Sequence, residues 1–304
     1  MAHGNRKTRR AAVALPLVAA LAPGGILLNA GGAAVATEER APGAAAEHQF
    51  RRGPDPTAES VANADGPFEV ERVTVPRGNG FGGGTIHYPA DSSQGDFGGI
   101  AISPGFMSPQ FLMGWYGPMF ASHGFVTIVI DTSTVADPPD SRADQLQAAL
   151  DYLTTQSEVR DRVDPDRLAV AGHSMGGGGA LRAAANNPDL QAAIPLEPWH
   201  LTNAWQEVTV PTMIVGGQFD FVAPVAFHAE SFYENLTAAP ERAYLELAGG
   251  SHFDVFFPNR ILTRYMVSWA KRYVDNDTRY EQFLCPAPAP GNGISEYRES
   301  CPTG

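Results

Sequence analysis

Lysine is nearly missing from this chain: Lys7 and Lys271 are the only two in 304 residues. Basic residues number 21 against 33 acidic ones, and a net charge of −12 argues against a nucleic-acid partner. Cysteine occurs only at 285 and 301, with no neighbouring His or Cys set that would hold a metal. There is no fixed-period repeat, and no long linker splits the chain. The one long apolar stretch, near the N-terminus, is broken by Pro16, Pro23, Gly24, Gly25, Gly31 and Gly32, so a spanning helix of about 20 apolar residues is poorly supported. What is present is 43% hydrophobic and 18% charged residues, the balance of a globular core rather than a disordered or collagen-like chain. The 32 glycines and 25 prolines point to many tight loops.

Arg6, Lys7, Arg9 and Arg10 precede an alanine-rich apolar segment that closes in Ala34-Val35-Ala36. A positive start, an apolar run and a small-x-small site are the three parts of a secretory signal, so residues 1–36 are expected to be removed on export. The mature chain would then carry a charge near −16 and be secreted, with no membrane anchor. Residues 37–66 read as a flexible lead-in, and 67–304 as one catalytic domain. In an exported protein Cys285 and Cys301 read as a disulfide across a Pro- and Gly-rich tail, the alternative being two free thiols.

Short apolar runs alternate with helix-like segments. Strands are predicted at 68–75, 84–88, 98–103, 125–131, 167–171, 192–196, 212–215 and 243–247, and helices at 141–155, 176–186, 226–235 and 259–274. The first two strands alternate as an antiparallel meander should. Those at 98–103 and 125–131 are short, strongly apolar runs, as buried parallel strands should be. This pattern is an α/β domain with a largely parallel central sheet flanked by helices.

Gly172-His173-Ser174-Met175-Gly176 follows one predicted strand and opens a helix, the setting of a nucleophile elbow. A serine hydroxyl is a weak nucleophile, so it needs a base that is itself held by an acid. The expected chain order is serine, acid, histidine, on loops after strands. Asp220 follows the strand at 212–215 and His252 the strand at 243–247, which makes them the acid and base. His173 adjoins the serine and reads as elbow packing, His200 stands in the wrong order, His123 reads as a helix end, and Asp254 is too close to His252 to orient it. For the oxyanion hole, the amides of Met175 and of Phe106, after Pro104-Gly105, are the candidates.

With these motifs assembled, the chain resembles the actinobacterial cutinases and polyester hydrolases, a family of the α/β-hydrolase fold. The resemblance runs from about Phe68 to Pro302. It is carried by Gly80-Phe81-Gly82-Gly83-Gly84-Thr85-Ile86, Ile102-Ser103-Pro104-Gly105, Gly172 to Gly179, Pro198-Trp199-His200-Leu201, Asp277-Thr278-Arg279-Tyr280 and Gln282-Phe283-Leu284-Cys285-Pro286. It implies Ser174, Asp220 and His252 as the triad, and Phe106 and Met175 as the oxyanion hole. It further implies Trp199 as an aromatic wall of a shallow cleft, with Val222 and the Phe106 ring as its floor. The implied activity is hydrolysis of cutin and of aliphatic or aromatic polyesters, poly(ethylene terephthalate) included. A lipase or short-acyl esterase on the same scaffold is the alternative. No lid insertion is visible, no metal or organic cofactor is expected, and a monomer acting on an ester substrate is the expected form. The chain departs from the family at Phe106, where many relatives have Tyr. It departs again at Gln218, Ala248 and Ser295, where some relatives bind Ca²⁺ through carboxylates; Glu296, one residue on, cannot make such a site alone.

Overall fold

Nine strands make one sheet in the order β1-β2-β4-β3-β5-β6-β7-β8-β9. The computed structural model describes residues 50–300, all within a single compact unit. The expected signal at 1–36, residues 37–49 of the lead-in and Cys301 lie outside them. The strands are β1 Val70–Val75, β2 Gly84–Pro89, β3 Phe97–Ser103, β4 Phe125–Ile130, β5 Val163–His173, β6 Ala192–Leu196, β7 Thr212–Gly217, β8 Arg242–Leu247 and β9 Ile294–Glu299. Strands β3 to β8 run parallel, whereas β1, β2 and β9 pair antiparallel at the two margins. Every residue of β3, β4, β6 and β7 is buried, which is why these strands read as unbroken apolar runs.

Helices α1 Tyr116–Ser122, α2 Pro139–Thr155, α3 Met175–Asn186, α4 Ala229–Asn235 and α5 Arg260–Tyr273 connect the strands. Helix α2 starts on Pro139, whose missing N–H costs nothing in a first turn, and buries Leu146, Ala149, Leu150 and Leu153 along one face. Helix α5 is capped by Asn259, whose side chain accepts from the Ile261 and Leu262 amides at 2.8 and 3.3 Å, a contact worth about 1 kcal/mol. Two hydrophobic clusters result, one containing residues of α1 and α5, the other residues of α2, α3 and α4. Among the described residues no helix is long and apolar enough to cross a membrane.

Two expectations change. Residues 50–66 are not a flexible lead-in. Val61 is 1% exposed and belongs to the same cluster as α5, Arg260 pairs with Glu59 at 2.7 Å, and Arg279 pairs with Asp55 at 2.8 Å. Their Ala, Asp and Pro composition hid two buried apolar residues, Val61 and Ala62, that help pin the segment. The tail is likewise more than a loop. Cys285 is disulfide-bonded as expected, but the residues after it form β9, which buries Ile294 and Tyr297 against β8. That pattern has a spacing of three, so no alternation announced it.

Candidate active site

Ser174 stands at the junction of β5 and α3 with φ 55° and ψ −118°, outside the regions a serine ordinarily occupies. Two glycines permit that turn. A Cβ on Gly172 would lie 2.3 Å from the Gly176 carbonyl oxygen, and one on Gly176 would lie 2.3 Å from the Ser103 carbonyl oxygen. The strained serine is locked by its own backbone. Its amide donates to the Leu196 carbonyl at 3.0 Å, and its carbonyl accepts from the Trp199 amide at 2.8 Å. Strain of this kind persists only where the surroundings over-determine it.

From the ends of β7 and β8 come the other two residues. Asp220 accepts the Val222 and Ala223 amides on Oδ1 at 2.8 and 2.7 Å, which fixes its carboxylate plane. Its Oδ2 accepts from His252 Nδ1 at 2.6 Å, and His252 Nε2 lies 2.9 Å from Ser174 Oγ. Burial alone would push the Asp220 carboxyl up, but the hydrogen bonds from His252 and the two amides outweigh it and hold it below the usual carboxylate range. An ionised Asp220 requires the proton on Nδ1, which leaves Nε2 free to accept from the serine.

The two residues expected to supply the oxyanion-hole amides both adjoin the serine's surroundings. Gly105 brings the loop after β3 so close that a Cβ there would lie 2.9 Å from the Ser174 Cβ. The next residue is Phe106. Met175 is the first residue of α3, where an amide has no intrahelical acceptor. Trp199 is half-buried, and its indole stacks on the His228 ring with centroids 6.1 Å apart. Phe106 and Val222 are about half exposed at the rim.

The competing residues resolve as follows. His123 caps the end of α1 and bonds the Asn63 carbonyl at 2.9 Å, while His200 pairs with Asp140 at 3.2 Å. Asp254 accepts from the Ser251 amide and not from His252. His173 sits behind the triad, with Nε2 bonding the His252 carbonyl at 2.9 Å. Burial drives its pKa down to about 3, so it stays neutral and donates that bond.

Sequence reading missed Glu197. It is buried at φ 44°, with one carboxyl oxygen 3.4 Å from His173 Nε2, and neither oxygen has a hydrogen-bond partner among the described residues. Burial, reinforced by Asp220 and Asp254, holds its pKa well above the ordinary glutamate value. Nothing in Pro195-Leu196-Glu197-Pro198 signals this, because the absence of a partner is a tertiary fact. His173, Glu197 and His252 bring potential metal-ligand atoms within 4.8 Å of one another. Both His252 nitrogens are already engaged by Asp220 and Ser174, so a cation there would dismantle the triad. Of the positions weighed above for Ca²⁺, Gln218 accepts from the Gly249 amide at 2.8 Å. Glu296, one residue beyond those positions, takes Arg298 at 2.6 Å.

Residues 44–302 match the PET hydrolase-like family. The chain belongs to that family. It is 53% identical over 266 residues to the bis(hydroxyethyl) terephthalate hydrolase of Streptomyces coelicolor, spanning 86% of each chain. It is 52% identical over 263 residues to a cutinase of Thermobifida fusca, covering 84% of this chain and 87% of that one. Cutinase 1 of Thermobifida cellulosilytica is 52% identical over 259 residues, 83% of this chain and 98% of the relative. Like them, this PET hydrolase-like protein is a carboxylic-ester hydrolase of the serine type.

Proposed function

We propose that this enzyme acts outside the cell on polymeric carboxylic esters, cutin and aromatic polyesters such as poly(ethylene terephthalate) among them, through an acyl-enzyme on Ser174. The observation that carries the reading is the continuous hydrogen-bond chain Asp220–His252–Ser174, set among half-exposed apolar side chains in a PET hydrolase-like protein. His252 Nε2 takes the hydroxyl proton as Oγ attacks the ester carbonyl, and Asp220 holds the imidazolium that forms. The Met175 and Phe106 amides receive the developing oxyanion. Collapse of the tetrahedral intermediate expels the alkoxide, which His252 protonates. Water then repeats the attack on the acyl-serine and releases the acid.

Trp199, Val222 and the Phe106 ring supply flat apolar area beside the serine for an aromatic acyl unit. The charged N-terminal segment followed by Ala34-Val35-Ala36 supports export, and a monomer with no anchor is the proposed working form.

The test is release of soluble acids from amorphous poly(ethylene terephthalate) film, with Ser174→Ala as control. The substitution should lower hydrolysis by about 10⁶-fold while the protein stays folded. Acid release by the variant would overturn the serine mechanism. No release by the unaltered enzyme, with turnover of a soluble butyrate ester intact, would move it to the short-acyl esterases.

A further inference from the structure

Eleven large apolar side chains are exposed among the described residues. Their placement is one-sided. Every one lies on a segment that leaves the C-terminal end of a parallel strand: Phe106 and Phe111 are among those after β3, Val135 follows β4 and Leu201 follows β6. The rest follow β7 and β8, Phe221 and Phe257 among them. The remaining parallel strand, β5, delivers Ser174 to the same edge. The connections at the opposite ends of these strands carry no exposed large apolar residue among the described ones.

Burying apolar surface is the main driving force for association, and a contiguous exposed patch on a folded chain marks a surface that meets a partner. Phe221 and Leu201 are each 89% exposed and Phe227 74%, so these side chains project into solvent instead of filling a cleft. Seven of the eleven are phenylalanines, whose rings gain by edge or offset contact with other rings. Segments 104–115, 131–138, 197–203, 218–228 and 248–259, which form this edge, contain neither Lys nor Arg. An anionic lipid surface is held by basic side chains, and this face offers none.

We infer that the C-terminal edge of the sheet is an adsorption face for the uncharged aromatic surface of a solid polyester, extending beyond the cleft and laying Ser174 against the polymer. The inference rests on the proposed substrate class. On this basis the cleft selects a single ester, while the outer rings hold the molecule on the film between turnovers.

Adsorption is measured separately from chemistry by using the full chain carrying Ser174→Ala on amorphous poly(ethylene terephthalate) film in a quartz-crystal microbalance. Adding Phe221→Ser, Phe227→Ser and Phe257→Ser should weaken adsorption by about tenfold or more, since three rings lose their apolar contact. Thermal unfolding of the two proteins should coincide to within a degree or two, as expected for exposed positions. In the chain that keeps Ser174, the three substitutions should lower the ratio of film hydrolysis to soluble-ester hydrolysis by a similar factor. Unchanged adsorption would overturn the inference. Equal binding to neutral phosphatidylcholine vesicles would overturn the polyester assignment in favour of a lipid surface. A concentration-dependent dimer in sedimentation, abolished by the same substitutions, would give the face to a second copy of the chain. Adsorption lost on substitution, with no acid released by the unaltered enzyme, would support the face while overturning the proposed function.

Discussion

The two ends of the parallel strands handle a buried acid in opposite ways. At the N-terminal end, the buried Asp275 carboxylate is clasped by Arg167 and Lys271, each at 2.7 Å, and Arg167 also reaches Asp164 and the Asp96 carbonyl. Lys271 additionally lies over the Phe125 ring at 4.6 Å. Each of these three buried charges has a partner. At the C-terminal end, Glu197 is equally buried and has no hydrogen-bond partner among the described residues, and Met107, Ser174 and Glu197 are held at positive φ. The exposed apolar residues crowd the same end. An ion-paired acid secures the end where nothing reacts, while a strained serine and an acid without a hydrogen bond mark the end that carries the triad. One end holds the fold, and the other uses what the fold holds.

Breaking the first end should give the largest loss of stability. Asp275→Ala leaves the Lys271 ammonium buried over the Phe125 ring without its carboxylate, and removal of one partner from a buried pair costs about 3–5 kcal/mol. Thermal unfolding should show that loss, while turnover of a soluble ester per folded molecule should hold. A large fall in turnover with unchanged unfolding would contradict the division between the ends.

Glu197→Gln should act in the opposite direction. Because the folded-state pKa of Glu197 lies above the unfolded value, the folded state binds a proton that the unfolded chain releases above about pH 4.3. The stability tied to that proton is full below the unfolded value and is lost as pH rises toward the folded one. A glutamine carries no such penalty. The variant should therefore match the unaltered enzyme near pH 4 and exceed it at neutral pH, by about 2–4 °C in Tm if 1 kcal/mol is recovered. A Tm gap that stays constant with pH would show that Glu197 is not the buried neutral acid described here.

Trp199→Ala sharpens the comparison within the active end. Loss of ring stacking worth about 0.5–1.5 kcal/mol should reduce film hydrolysis about two- to tenfold, with a smaller loss on a soluble butyrate ester. Equal losses on both substrates would remove Trp199 from polymer binding and leave it a packing residue against His228.

Much of this was legible without coordinates. The strand at 192–196 coincides with β6, and the other predicted strands fall within a few residues of β1–β5, β7 and β8, because buried parallel strands are continuous apolar runs between turn residues. Helix α1 escaped because Gly117 and Pro118 punctuate it, although a proline in a first turn does no harm. Strand β5 begins four residues earlier than predicted, under Asp164-Pro165-Asp166, where polar residues mask the extended backbone.

Residue types and chain order alone named the triad. The turn geometry of Gly172 to Gly176 is local, and strand-to-loop alternation carries Asp220 and His252 to the same edge. Only the tertiary structure decided which buried acid has partners. Asp275 meets Arg167 across 108 positions, while Glu197 makes no hydrogen bond among the described residues, and such encounters depend on how distant segments pack. It also decided that scattered phenylalanines share one face. Each lies in a different connection, and only the common direction of β3 to β8 brings those connections together.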